Sequence, residues 1–218
     1  MSQPASVPDD PLWEGTAEVE EDVFRGVLAQ TAAALRDSGV THLFMGGLVS
    51  AALGRDRWTH DIDVFVKPED AQEALNALRQ AGFETQETDP SWLFKAVKDH
   101  VLVDLIFLSD GRIVVDDEML RRARQVEIQG HAVPAIPVED LIVVKALVHK
   151  ERSTWHWFDA LALLRRDDLD WDYLVRRGTQ YGPHRILSLL FYARSRGQDV
   201  PMSALRELLD LARPPEVT

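Results

Sequence analysis

The sequence predicts an α+β protein: an N-terminal mixed sheet flanked by helices, followed by a C-terminal helical bundle. Three observations predict it. Up to about residue 136, short apolar runs of strand character alternate with stretches of helical period. From Pro137-Val138-Glu139-Asp140 onward only helical patterns recur, separated by turn signals at Asp170, Gly182-Pro183, Gly197 and Pro201. The 218 residues, 45% of them apolar, suffice for one large domain or two small ones with a substantial core.

In chain order, residues 1–15 are rich in Pro, Asp, Ser and Gly and read as a disordered acidic tail. A helix is expected from Thr16 to Asp37, with Phe24, Val27, Leu28, Thr31 and Leu35 on one stripe and acids in its first turns, where the helix dipole favours them. Ser38-Gly39 ends it. Val40 to Met45 reads as a buried strand, Gly46-Gly47 as a tight turn, and Leu48 to Leu53 as a short helix stopped by Gly54. A polar loop leads into the strand Asp61 to Val66. Pro68 opens the next helix, with Ala71, Ala74, Leu75 and Leu78 inward and Gly82 as its stop. Strands follow at Phe83–Thr88, Trp92–Val97 and Val101–Leu108, the last two joined by a hairpin turn at Lys98-Asp99-His100. A short helix near 116–124 and a ribbon over 126–136, broken at Gly130, complete an α/β domain spanning 16–136. Helices at about 138–151, 155–166, 171–180, 183–196 and 201–212 form a helical domain, 137–218.

Composition narrows the function. With no cysteine, disulfides, zinc-thiolate sites and thiol nucleophiles are excluded, which suits a cytoplasmic location. The amino terminus lacks the basic and apolar regions of a signal peptide, and no apolar run approaches a membrane span. The net charge is −12. Residues 1–22 hold seven acids and no Lys or Arg, leaving −5 for the remainder (29 acids against 24 bases). Residues 121–218, with 15 bases and 13 acids, are close to neutral. Broad polyanion binding needs an excess of cations to neutralise phosphates, so this balance counts against a long RNA.

The chemistry concentrates in one stretch and one later residue. Alternate residues of a strand share a face, so Asp61 and Asp63 point together while Ile62, Val64 and Val66 point into a core. Like charges side by side need a positive group between them, and a divalent cation with oxygen ligands is the natural one. Asp104 interrupts an eight-residue apolar run, Val101 to Leu108. An ionised, buried and unpaired carboxylate there costs several kcal/mol, so it reads as a third carboxylate converging on the same cation. Three carboxylates on neighbouring strands suit two Mg²⁺ ions, about 3.5–4 Å apart. Gly46 and Gly47 stand between a buried strand and a short helix, where backbone can approach a phosphate and helix N–H groups can receive it; Ser50 could add a hydroxyl. The helix beginning at Val138 carries Lys145 among apolar Val143, Val144 and Leu147, either as a snorkelling side chain or as a phosphate ligand. Asp159 reads as a structural ion-pair or cap residue, and Trp155 and Trp157 as packing residues or as a stacking face for a base or acceptor. His42, His60 and His131 lack ligand-like spacing, and no nucleophile elbow is present.

Taken jointly, Gly46-Gly47, Gly54-Arg55, Thr59-His60-Asp61-Ile62-Asp63 and the separate Asp104 resemble the nucleotidyltransferase fold superfamily, with its DNA polymerase β-like palm. Within it, the chain is similar to small bacterial nucleotidyltransferases that include type IV toxin–antitoxin toxins, and to antibiotic enzymes modifying aminoglycosides and lincosamides. The resemblance covers roughly 40–165. It implies that Gly46, Gly47 and Ser50 hold a nucleoside triphosphate, helped by Arg57, Thr59 and Lys145. It implies that Asp61 and Asp63 bind two Mg²⁺ or Mn²⁺ ions, and that Asp104 binds the ion beside the acceptor and helps deprotonate its hydroxyl. The implied reaction moves an NMP from an NTP to an acceptor hydroxyl and releases pyrophosphate. The acceptor is a tRNA or other RNA 3′ end, a protein side chain or a small molecule, and a cognate antitoxin is an implied partner. Two alternatives stand beside it: a catalytically silent nucleotide- or partner-binding module of the same fold, and an antibiotic nucleotidyltransferase.

Overall fold

The computed structural model describes residues 19–54, 59–148 and 155–212. The expected tail over 1–15 lies outside them. The first helix, α1 (Glu21–Ser38), buries Phe24, Val27, Leu28, Thr31 and Leu35 and ends at Gly39 with φ +77°, a left-handed cap that glycine adopts without steric cost. Strand β1 (His42–Phe44) leads directly into α2 (Gly46–Leu53). The glycine pair is therefore the first turn of the helix, not a turn preceding it. Strand β2 (Asp61–Val66) is followed by a single 3₁₀ turn at Pro68–Asp70 and by α3 (Ala71–Gln80), which buries Ala71, Ala74, Leu75 and Leu78. Strands β3 (Glu84–Asp89), β4 (Leu93–Lys98) and β5 (Val101–Ile106) form a meander. The β4–β5 turn places Asp99 and His100 at φ +48° and +64°, the left-handed pair a two-residue hairpin requires. After α4 (Asp117–Arg122), β6 (Arg124–Ile128) and β7 (His131–Ala135) turn at Gln129-Gly130 in the same way. The helices α5 (Val138–Leu147), α6 (Trp155–Leu163), α7 (Trp171–Tyr181), α8 (Pro183–Ser195) and α9 (Met202–Ala212) follow.

The seven strands form one mixed open sheet in the order β3-β4-β5-β2-β1-β7-β6. Its centre sets the site. Strand β2 runs parallel to β5 with Asp63 opposite Asp104, and antiparallel to β1 with Val64 opposite Phe44. Ile62, Val64, Val103 and Leu105 are fully buried on one face of these strands, so the alternation turns Asp61, Asp63 and Asp104 to the other. Strand β4 continues the row, with Lys95 opposite Asp104.

Helix α5 is buried all round from Glu139 to Leu147, because apolar residues occupy every face rather than one stripe. It is the axis of the helical half. Among the described residues, no helix is long and apolar enough to cross a membrane.

Candidate active site

A cavity of about 630 Å³ opens where the central strands, the start of α2 and the helices α5 and α6 meet. Asp61, Asp63 and Asp104 line it together with Gly46, Gly47, Thr59 and Lys145. The sequence distance between Asp63 and Asp104 is closed by the parallel pairing of β2 and β5, which sets the two residues side by side.

Asp63 is the most constrained of the three. Burial, then the negative charges of Asp61 and Asp104, push its carboxyl up to about 8, while Lys145 and the Gly47 N–H pull the other way. The Gly47 N–H donates to Asp63 Oδ2 at 3.4 Å. Gly46 has φ +70°, and a Cβ there would overlap the Asp63 carboxylate. Glycine at 46 thus serves two needs, a left-handed backbone and room for a carboxylate against the helix N-terminus. Thr59, nearly buried, donates its hydroxyl to Asp61 Oδ1. Lys95 Nζ stands 4.0 Å from Asp104 Oδ1.

Lys145 does not snorkel to solvent. It is buried on α5, pairs with fully buried Asp159 of α6 at 3.1 Å, and lies 3.4 Å from His156 Nδ1. Helix α6 thereby holds an ammonium at the back of the cavity, within electrostatic reach of Asp63. Asp159 is the ion-pair residue the sequence indicated, fourteen positions from its partner.

Ser50 corrects an expectation. It is fully buried, its hydroxyl donates to the Gly46 carbonyl one turn back at 2.8 Å, and it does not line the cavity. Its bond closes the first turn of α2 instead of meeting a ligand. Arg57, expected near phosphate, lies outside the described residues, as does Arg55. Of the two readings open to each tryptophan, Trp155 is 55% exposed and lines the cavity, whereas Trp157 packs edge-on against Tyr192. Sequence reading also missed Lys95, Trp92 and Asp110. Lys95 faces Asp104 only through the β4–β5 register, which a single sequence does not reveal. Trp92 has a local signal, the Asp89-Pro90-Ser91 turn before it.

The donor set is all oxygen, which matches a hard divalent cation, and the three carboxylates crowd one another on a shared face. Among the described residues they are not gathered about a single point. Each is instead turned to a protein group: Asp61 to Thr59, Asp63 to Gly47 and Asp104 toward Lys95. The residues match such an ion in the chemistry of their donors and in sharing one face of neighbouring strands.

Comparisons with known proteins give the chain a family. The model of a family described as uncharacterised nucleotidyltransferase matches residues 14–195. No curated protein matches the sequence. Among solved structures, the antibiotic-resistance factor ANT(2'')-Ia is similar at 17% identity, over 88% of this chain and 99% of that one, with a TM-score of 0.51. An antigenic nucleotidyltransferase-like protein from Paracoccidioides brasiliensis matches at 14% identity over 86% and 98%, with a TM-score of 0.49. The lincosamide antibiotic adenylyltransferase LnuA matches at 16% identity over 66% and 96%, with a TM-score of 0.46. At 17% identity the likeness to ANT(2'')-Ia speaks to fold alone, and the other two carry no argument. The family match spans most of the chain, and the protein belongs to the uncharacterised nucleotidyltransferase family, within the nucleotidyltransferase superfamily.

Proposed function

We propose that the protein transfers a nucleoside monophosphate from an NTP to an acceptor hydroxyl in a reaction dependent on divalent metal. The observation that carries this reading is the register of Asp63 beside Asp104 on parallel strands, with Asp61 on the same face, above a helix that begins Gly46-Gly47. Asp61, Asp63 and Asp104 would hold Mg²⁺ or Mn²⁺, which when bound neutralises the charge developing on the transferred phosphate. The first N–H groups of α2 and the Lys145 ammonium suit the triphosphate. Asp104, on the strand farther from α2, faces the acceptor and accepts its hydroxyl proton. The acceptor oxygen then bonds the α-phosphorus as the bond to the bridging oxygen of the β-phosphate breaks, and pyrophosphate leaves with that electron pair. Positioning and charge stabilisation carry most of the catalysis in such transfers.

The test is incubation with each α-labelled NTP, Mg²⁺ or Mn²⁺, and fractionated cell extract. Label is expected in one acceptor fraction, with stoichiometric pyrophosphate and with chelator abolishing both. Tight metal–nucleotide binding with no label transferred across every fraction would replace the reading with a nucleotide-binding module.

A further inference from the structure

A second cavity, of about 460 Å³, lies at the other end of α2. Helix α2 begins at Gly46, which lines the carboxylate site, and ends at Leu53, which lines this one. At 1.5 Å per residue the two ends are about 10–12 Å apart. Among the described residues the two cavities share no lining residue. The walls of the second come from the end of α4 and the start of β6, from the end of β7 and the start of α5, and from the turn between α6 and α7. Its volume falls in the range of small-molecule sites.

The guanidinium groups of Arg121, Arg122, Arg124 and Arg166 meet there with the carboxylates of Glu139, Asp168 and Asp170. This local excess of cations stands against a net charge of −12 for the chain. The carboxylates are already engaged. Both oxygens of Asp168 accept from Arg166, at 2.9 and 2.8 Å. Asp170 accepts from Arg122 Nη1 at 2.8 Å and from the Tyr173 N–H at 3.0 Å, and Glu139 accepts from the Asp170 N–H at 2.8 Å. Further contacts fix the same two cations: Arg166 Nη1 donates to the Leu53 carbonyl at 2.9 Å, and Arg122 lies 4.0 Å over the Tyr173 ring. The side chains of Arg121 and Arg124, by contrast, make no hydrogen bond among the described residues, although the charge of Arg124 reaches Asp168. A guanidinium carries five N–H donors and no acceptor, so donors outnumber acceptors in this cavity. Two forked guanidiniums together suit a dianion with several oxygens, as in a phosphate monoester. The rest of the wall includes Val126, Ala135, Ile136 and Val138, apolar surface for an organic body beside the phosphate.

We propose that this cavity binds a small organic phosphate. Arg121 and Arg124 receive the phosphate dianion. Arg122 and Arg166, held by Asp170 and Asp168, add to the positive field around it, and Val126, Ile136 and Val138 face the organic body. The site lies outside the nucleotidyl-transfer machinery and does not depend on that reading.

The test is calorimetric titration of the full chain with phenyl phosphate, with chelator present so that no divalent ion draws phosphate to the carboxylates. Saturable one-to-one binding is expected, about tenfold tighter than that of inorganic phosphate because the ring meets apolar wall. It weakens below about pH 6, where a phosphate monoester takes up its second proton. Arg121→Gln/Arg124→Gln is expected to weaken phenyl phosphate at least about tenfold, since charge-assisted hydrogen bonds are lost. The melting temperature is expected to hold, because neither side chain bonds the fold. The single variants, each costing about threefold, report the same from a smaller perturbation. Arg25→Gln/Arg36→Gln removes equal charge from α1, which lines no part of the cavity, and is expected to change the affinity by less than about twofold. No saturable binding by millimolar phenyl phosphate would overturn the proposal. So would an affinity indifferent to the cavity pair, an equal loss on the α1 pair, or inorganic phosphate binding as tightly as phenyl phosphate. Tighter, arginine-dependent binding of a short oligoribonucleotide would replace it with a nucleic-acid interface.

Discussion

At residue scale, Gly46 and Asp63 occupy a space that admits no extra atom. Gly46→Ala combines a strained left-handed backbone with overlap on the Asp63 carboxylate, so a loss of about 1–3 kcal/mol in unfolding free energy is expected, together with loss of nucleotide binding. A variant of wild-type stability would show that Asp63 can move aside freely. Asp63→Asn has opposite consequences for the two properties. Without metal, burial and the charges of Asp61 and Asp104 hold a proton on Asp63 up to about pH 8, whereas the unfolded chain gives it up near pH 4. The variant has no such proton to lose, so it is expected to gain thermal stability over wild type as pH rises from about 4 through about 8, by about 2–4 °C for each kcal/mol gained in a chain of this size. A fall in melting temperature would mean that the carboxylate is already compensated by the protein. The carboxylates were legible in the sequence because alternation and apolar flanks are local signals. Ser50 misled because the same first helical turn offers its hydroxyl two partners, a ligand or the Gly46 carbonyl, and burial decides between them.

At the scale of elements, α5 and α6 are joined at the site by Lys145 and Asp159. Removing one partner of a buried ion pair leaves an uncompensated charge, so Lys145→Met is expected to cost about 3–5 kcal/mol. The double variant Lys145→Met/Asp159→Leu is expected to recover most of that loss, since an apolar pair replaces the charges. It is not expected to recover nucleotide affinity. Calorimetric titration with an NTP analogue checks this, and wild-type affinity in the folded double variant would remove Lys145 from the phosphate site. The helices themselves were legible from period and punctuation, and the ends of α7 and α8 fall within one residue of expectation. The pairing of Lys145 with Asp159 was not, because it depends on the crossing of two helices whose apolar faces accept several arrangements.

At the scale of the whole molecule, a buried polar cluster ties the segment after the sheet's central strands to the helical half. Arg177 of α7 bonds both Asp140 of α5 and Asp116, whose other oxygen caps α4 by accepting from Met119 N at 2.8 Å. Tyr173 donates its hydroxyl to Asp140. Burial pushes the Asp140 carboxyl up from 3.8 to about 6, against the pull of Arg177 and Tyr173. The folded protein therefore holds the Asp140 proton more tightly than the unfolded chain does. The stability from this linkage is fully present below about pH 4 and is lost as pH rises through about 6. Relative to wild type, Asp140→Asn is expected to gain about 2–3 kcal/mol between pH 4 and pH 7 in urea unfolding. A difference independent of pH would mean that Asp140 titrates normally. The mixed sheet and the trailing bundle were legible in the sequence. Its strand order was not, because two of its pairings, β2 with β5 and β1 with β7, join strands distant in the chain. The central claim is that this arrangement makes Asp63 essential to nucleotidyl transfer, and it is tested most directly by comparing Mg²⁺-dependent incorporation of α-labelled NMP by wild type and Asp63→Asn. A folded variant losing at least about 100-fold in rate, as expected when charge stabilisation at the reacting phosphate is removed, is the predicted result; undiminished transfer by that variant would contradict it.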